Sequence, residues 1–229
     1  MAESGVFRLG GVLVGTHAYV VLGNLLGVRW EHAAIRTRDI DIATSAKQEA
    51  DLAIALPQIT ADVPSALESL KMGFFPIPQL DPMQPSTSFM IRGNVLRVDI
   101  LSPLQDRQTK PVFIPRFKTA AQPLRFLDYL IEEKIPAAVI DGGGILVNVP
   151  SPGRYAIHKL IVAQERGPEV QAKKEKDLFQ AFQLLSVLKE DRPGDISAAV
   201  EKATGRGAGW RKRVEKGLEE IGKKYGFSL

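Results

Sequence analysis

The sequence contains no cysteine, and this absence excludes both a disulfide framework and a metal site built from thiolates. Histidine is scarce as well. His17, His32 and His158 do not show the close, regular spacing that is typical of zinc ligands. A chain without cysteine is compatible with the reducing cytoplasm, and we expect this protein to be cytoplasmic.

Charged residues are absent between Arg8 and Arg29, so this segment has the length of a membrane span. Five glycines interrupt it, however, together with a threonine, a histidine and an asparagine. We therefore predict a short buried strand and a buried helix here, and no membrane segment. A signal peptide is not expected either, because the apolar run lacks a small-residue cleavage end.

The composition is that of a globular protein with a substantial core. The chain has 229 residues, of which 45% are hydrophobic and 24% charged. This length fits one domain with an appendage, or two small domains.

The net charge of +4 is concentrated at the C-terminus. Residues 201–229 carry eight basic and four acidic side chains, so the rest of the chain is balanced. A basic element of this kind can contact the phosphate backbone of RNA, for example tRNA. The alternative is an ordinary solvated helix face.

Three aspartates are the strongest candidates for a functional site. Asp39 and Asp41 alternate with Ile40 and Ile42, so in a strand both carboxylates lie on one face and the isoleucines face the core. Asp99 is the single acid of the apolar run 96–101. Clustered carboxylates repel one another unless a cation neutralises them, and Mg²⁺ (or Mn²⁺) is typically held by one or two carboxylates plus substrate phosphates.

A glycine turn precedes the acids. Val12 to Val14 read as a buried strand, and His17 to Leu26 have the length and apolar content of a helix. Gly15 allows the backbone to approach an anion, and the N–H groups of a helix start point toward it. We expect Thr16 to cap the helix and to offer its hydroxyl to a phosphate.

The remaining elements follow from periodicity and from turn residues. Hairpin strands are predicted on either side of Arg92-Gly93-Asn94, at Ser88–Ile91 and Val95–Leu101. The other predicted elements are helices at 63–72, 117–134, 155–166 and 170–189, and short strands at 137–140 and 145–149.

The order strand, Gly15-Thr16, helix, Asp39-Ile40-Asp41, hairpin, Asp99 resembles the nucleotidyltransferase superfamily with the DNA polymerase β-like fold. The segment Thr37-Arg38-Asp39-Ile40-Asp41 is most similar to sequences of the bacterial branch that contains abortive-infection toxins. The resemblance implies an α+β fold with a mixed sheet flanked by helices, followed by a mainly helical region. It places the catalytic core at residues 1–103 and the C-terminal region, with a strand pair, helices and basic tail, at 104–229.

A second stretch is similar to helices of the same branch. It contains Lys159, then Arg166, then Lys176-Asp177 at the opening of another helix. In that branch a lysine reaches the nucleotide phosphates and an aspartate braces the site, which makes Lys159 and Asp177 candidates for nucleotide binding. Arg38 precedes Asp39 directly in the sequence. It either contacts a phosphate of the nucleotide or balances the negative charge of the aspartates.

The resemblance implies nucleotidyl transfer. Asp39, Asp41 and Asp99 would be the catalytic and metal-binding residues, and Gly15 and Thr16 would bind the outer phosphates of an NTP. The acceptor hydroxyl belongs to RNA, a protein or a small molecule. Two alternatives are a toxin of a toxin–antitoxin pair that acts on tRNA, and a nucleotide- or RNA-binding module without activity.

Overall fold

The computed structural model describes residues 4–35, 37–45, 61–93, 96–105, 109–140 and 143–229. The chain divides into two compact units. The first contains residues 1–29 and 36–149, and the second contains Trp30–Ile35 and Pro150–Leu229. We expected a domain boundary after residue 103, but the first unit extends to Val149. One reason is that the strand Thr119–Leu124 pairs with the strand Arg97–Pro103 in the same sheet.

Among the described residues, a seven-stranded mixed sheet forms the centre of the first unit. The described strands are β1 (Val12–Val14), β2 (Asp39–Ala43), β3 (Phe74–Pro76), β4 (Ser88–Ile91), β5 (Arg97–Pro103), β6 (Val112–Ile114), β7 (Thr119–Leu124), β8 (Lys134–Val139) and β9 (Ile145–Pro150). Along the main path of the sheet the strand order is β1-β2-β5-β4-β3, and β7 pairs with both β5 and β6. Strands β8 and β9 form a separate pair.

The described helices are α1 (Gly15–Leu26), α2 (His32–Ile35), α3 (Val63–Ser69), α4 (Leu127–Glu132), α5 (Pro152–Ala163), α6 (Gln171–Asp191), α7 (Pro193–Thr204) and α8 (Ala208–Tyr225). Local sequence explains several helix ends. Helix α1 ends at Gly27, which adopts the left-handed conformation that glycine favours. The side chain of Asp62 accepts a hydrogen bond from the Ser65 backbone N–H and so caps α3.

One face of the sheet is apolar. Ile42 on β2, Val98 and Ile100 on β5 and Phe89 on β4 are buried in one cluster with residues from outside the sheet. Because side chains alternate along a strand, the residues between them lie on the opposite face. The core therefore determines which side chains the sheet presents on its other side.

The second unit is built around α5, which packs against α6, α7 and α8. At Gly217 of α8, a Cβ atom would lie 2.7 Å from the Leu160 Cβ of α5. Glycine at this position permits a close helix crossing. The predicted fold class, a mixed sheet flanked by helices and followed by a mainly helical region, is confirmed.

The helix predicted over 117–134 is wrong in its first half. Residues 119–124 form strand β7, which pairs in parallel with β5 and antiparallel with β6. The α-helical part of this segment is Leu127–Glu132. Pro123 explains the difference, since proline inside a helix removes a hydrogen bond and clashes with the preceding turn. The other predicted elements are present with ends shifted by a few residues, apart from Asn94 and Val95, which lie outside the described residues.

Across the described ranges, none of the helices combines the length and the hydropathy that crossing a membrane requires.

Candidate functional site

The three aspartates predicted from the sequence lie on one face of the sheet. Strands β2 and β5 are parallel neighbours, and their register pairs Asp41 with Asp99 and Asp39 with Arg97. The residues that alternate with them belong to the core, with Ile42, Val98 and Ile100 buried and Ile40 packed against the cluster. The polar side chains therefore lie on the face away from the core.

The glycine turn contacts the acid pair. Gly15 has a φ of +63°, and a Cβ atom at this residue would overlap the Asp41 carboxylate. Only glycine both adopts this conformation readily and leaves room for the carboxylate. In the first turn of α1, His17 Nδ1 lies 3.0 Å from the Asp39 backbone oxygen. The first turn of α1 thus contacts β2 at two points, the Asp41 carboxylate and the Asp39 backbone oxygen.

Thr16 does not cap α1, and this expectation was wrong. The helix begins at Gly15, and the N-cap position is occupied by Val14, whose side chain makes no capping hydrogen bond. Thr16 lies inside the first turn and is buried.

The Asp99 carboxylate is held by two side chains of the hairpin. Arg97 Nε donates a hydrogen bond to Asp99 Oδ1 over 2.7 Å, and Arg97 Nη2 donates to Ser88 Oγ over 3.1 Å. The Ser88 hydroxyl donates to the same Asp99 oxygen. Ser88 is opposite Asp99 in the antiparallel register of β4 and β5, so the hairpin fixes this contact.

The donor set fits a magnesium ion held together with a substrate. In the described parts of the chain, no group of three or more His, Asp or Glu side chains is gathered closely enough to hold a metal. The Asp99 carboxylate instead binds Arg97 and Ser88. Mg²⁺ needs only one or two carboxylates when phosphates complete its shell, and neighbouring aspartates on β2 and β5 suit this arrangement.

A family model described as nucleotidyltransferase matches residues 1–205. The chain belongs to this family. An antigenic nucleotidyltransferase-like protein from Paracoccidioides brasiliensis has a solved structure that is similar, with 14% sequence identity and a TM-score of 0.45. The match covers 98% of this chain and 85% of that one. No curated protein sequence matches significantly.

The nucleotidyltransferase sequence also carries Lys159 and Asp177, which lie together in the second unit. Lys159 Nζ on α5 is 2.6 Å from Asp177 Oδ1 on α6. Arg166 donates from Nε and Nη2 to Asp177 Oδ2, each over 3.1 Å. Asp177 is 5% exposed and Lys159 is 12% exposed, so this ion pair is largely shielded from water.

The electrostatics of this cluster favour the ionised aspartate. Burial alone would raise the pKa of Asp177, but the positive charges and hydrogen bonds of Lys159 and Arg166 outweigh it and lower the pKa. His158 lies beside them, and its buried Nδ1 has no hydrogen-bond partner among the described residues. Burial lowers the pKa of His158 to about 3, and the charge of Lys159 contributes in the same direction.

Sequence reasoning missed three residues of the candidate site: His17, Ser88 and Arg97. Arg97 could have been found, because it is two residues before Asp99 on the same strand and therefore shares its face. Ser88 required knowledge of the hairpin register, and the contact of His17 with β2 required the tertiary fold. Arg38 is exposed, and its assignment to the nucleotide stays a prediction.

Proposed function

We propose that this protein transfers a nucleoside monophosphate from an NTP to an acceptor hydroxyl and releases pyrophosphate. The observation that supports this most strongly is the pairing of Asp41 with Asp99 on parallel strands, with Gly15 against the Asp41 carboxylate. Gly15, at a helix start of the kind that binds anions, and the carboxylates of Asp41 and Asp99 thus come together from separate parts of the chain.

The proposed residues have distinct roles. The register partners Asp41 and Asp99, with Asp39 beside them on β2, would hold Mg²⁺ (or Mn²⁺) together with the substrate phosphates. The ion would supply positive charge that neutralises the phosphates and favours loss of the proton from the acceptor hydroxyl. The backbone at Gly15 and the Thr16 hydroxyl hold the outer phosphates. Arg38 offsets phosphate charge. Lys159 and Asp177 lie in the second unit, and their assignment to nucleotide binding stays a prediction.

The transfer is a single displacement. The acceptor oxygen forms a bond to the α-phosphorus as the bond from that phosphorus to the β-phosphate oxygen breaks. The electron pair of the broken bond leaves with pyrophosphate, and we assign the acceptor proton to the Asp99 carboxylate. The protein forms no covalent bond, so its contribution is placement and electrostatic stabilisation.

An RNA acceptor, such as the tRNA of a toxin-like enzyme, is the second candidate because of the charge distribution on α8. Toward the end of this helix Lys223 pairs with Glu219 and Lys224 with Glu175. Nearer its start, Arg211, Lys212 and Lys216 are exposed. The basic excess is thus on the first half of α8, where a phosphate backbone can approach.

Labelling with each α-labelled NTP tests the proposal. Wild-type protein, Mg²⁺ and total RNA are combined, with parallel reactions in EDTA and with protein acceptors. Metal-dependent label on RNA supports the toxin-like activity, and label on another acceptor supports the wider transferase. If nucleotide binds but no acceptor is labelled, the proposed activity is contradicted. The protein would then be a nucleotide-binding module without transferase activity.

Replacing Gly15 with alanine is expected to reduce transfer at least tenfold, because the new Cβ displaces the Asp41 carboxylate. The positive φ also costs about 1 kcal/mol of stability for any residue with a side chain. Gly27→Ala is a matched control, since Gly27 has a φ of +70° but no described atom within 4 Å of its added Cβ. Initial rates and urea unfolding are measured for both.

The two alanine variants should lose similar stability, while only Gly15→Ala loses activity. Equal activity in the two variants would show that Gly15 does not determine the position of Asp41.

A further inference from the structure

Arg97 supplies a positive charge on the acid face of the sheet. It lies opposite Asp39 in the parallel register of β2 and β5, and two residues before Asp99 on β5 itself. Its guanidinium contacts both Asp99 Oδ1 and Ser88 Oγ. The charge that a divalent cation would bring to Asp99 is therefore provided by a side chain of the protein.

The two partners of Asp99 differ in their freedom to move. The Arg97 side chain is 43% exposed, whereas Asp99 is 16% exposed and Ser88 is buried. An exposed ion pair contributes little to stability, so releasing Arg97 from Asp99 costs little. Ser88 is held inside the hairpin and can keep its hydrogen bond to Asp99 when Arg97 leaves.

We propose that Arg97 is an exchangeable counter-ion of the site. It neutralises Asp99 while no divalent cation is bound, and it moves to a phosphate of the substrate when the metal–nucleotide complex binds. Guanidinium suits this exchange because it forms paired hydrogen bonds with carboxylate and with phosphate alike. This inference rests on the proposed function, and it assigns to Arg97 a direct contact with the substrate phosphates.

Two opposite effects follow from such an exchange. Without nucleotide, Arg97 competes with the cation for Asp99, so Arg97→Gln should bind a divalent cation about tenfold more tightly than wild type. With nucleotide, the variant lacks a phosphate contact, so its KM for NTP should increase about tenfold. A purely structural role, in which Arg97 only orients Asp99, predicts weaker cation binding in the variant.

The test measures free Mn²⁺ by electron paramagnetic resonance during titration of the nucleotide-free protein. Arg97→Gln is compared with wild type and with Arg97→Lys, which keeps the charge and should stay near wild type. Arg92→Gln is the matched control, because it removes an exposed arginine from the turn of the same hairpin. Ser88→Ala removes a hydrogen bond but no charge, so it should not tighten Mn²⁺ binding.

The outcomes separate this inference from the proposed function. Tighter Mn²⁺ binding in Arg97→Gln alone, together with the higher KM for NTP, supports the exchange. Unchanged or weaker binding in Arg97→Gln, with Mn²⁺ and Mn²⁺–NTP bound by wild type, overturns the exchange and leaves the proposed function standing. Failure of wild type to bind Mn²⁺ with or without NTP overturns both.

Discussion

Replacing Asp41 with asparagine is expected to lower kcat/KM for nucleotidyl transfer by on the order of a thousandfold, or about 4 kcal/mol. The amide has nearly the same shape as the carboxylate but is neutral, so it binds a divalent cation weakly. Asp41 has a central position on the acid face, because it pairs with Asp99 on one side and lies against Gly15 on the other. Steady-state kinetics over a range of Mg²⁺ concentrations measure the loss.

The stability of Asp41→Asn should remain within about 1 kcal/mol of wild type, since the substitution also removes one of three like charges on a sheet face. Glu68→Gln serves as the control, because it removes an exposed carboxylate of α3 in the same unit and should leave activity unchanged. Full activity in Asp41→Asn, or a loss of activity explained by unfolding, would contradict the role assigned to this residue.

Replacing Asp177 with asparagine is expected to destabilise the protein by about 3–5 kcal/mol. The substitution leaves the charge of Lys159 shielded from water without its negative partner. It also replaces one of the two acceptor oxygens by an NH2 donor, so either Lys159 or Arg166 loses the oxygen to which it donates. Unfolding in urea, followed by circular dichroism, measures the change in the free energy of unfolding.

Two variants test the cause of this loss. Asp191→Asn changes an exposed aspartate at the end of the same helix and should alter stability by less than about 0.5 kcal/mol. The double variant Lys159→Met with Asp177→Leu removes both buried charges and should recover most of the loss. If Asp177→Asn is as stable as Asp191→Asn, the ion pair contributes nothing to the fold.

The effect of Asp177 depends on pH in a defined direction. Its pKa is lowered from 3.8 in the folded protein, so its stabilisation is complete above that value and disappears as the pH falls through the lower, folded pKa. The difference in stability between wild type and Asp177→Asn should therefore be constant at neutral pH and shrink below pH 3.8. His158 produces a separate loss in both proteins below its ordinary pKa of 6.5, because the unfolded chain binds the proton that the buried ring does not.

The sequence was sufficient where structure depends on local pattern. Alternation in 39–42 predicted the exposed Asp39 and the buried Ile42, between which Ile40 and Asp41 are half-buried. The glycine at 15 predicted the break between β1 and α1. It failed over 119–124, where two alanines favour a helix but pairing with β5 and β6 outweighs that preference. Pro123 was the residue in the sequence that argued against a continuous helix.

The candidate site was predictable to the level of residue type and face. The direct pairing of Asp41 with Asp99 depends on strand order, which joins segments far apart in the chain. The contacts of Asp99 depend on hairpin register and on side-chain conformation. These are consequences of the assembled sheet, and no local pattern in the chain contains them.

The short segment Trp30–Ile35 belongs to the second unit although the residues before and after it belong to the first. Buried Gln180 of α6 donates a hydrogen bond to the backbone oxygen of Ala34 and accepts one from the Tyr155 hydroxyl. The chain thus passes between the units three times, and one cut after Val149 cannot separate them. A fragment ending at Val149 would contain Ala34 but not Gln180, which donates a hydrogen bond to it. The two units are therefore better studied separately by point substitutions in the full chain, or in a chain whose segments have been reconnected so that each unit is continuous.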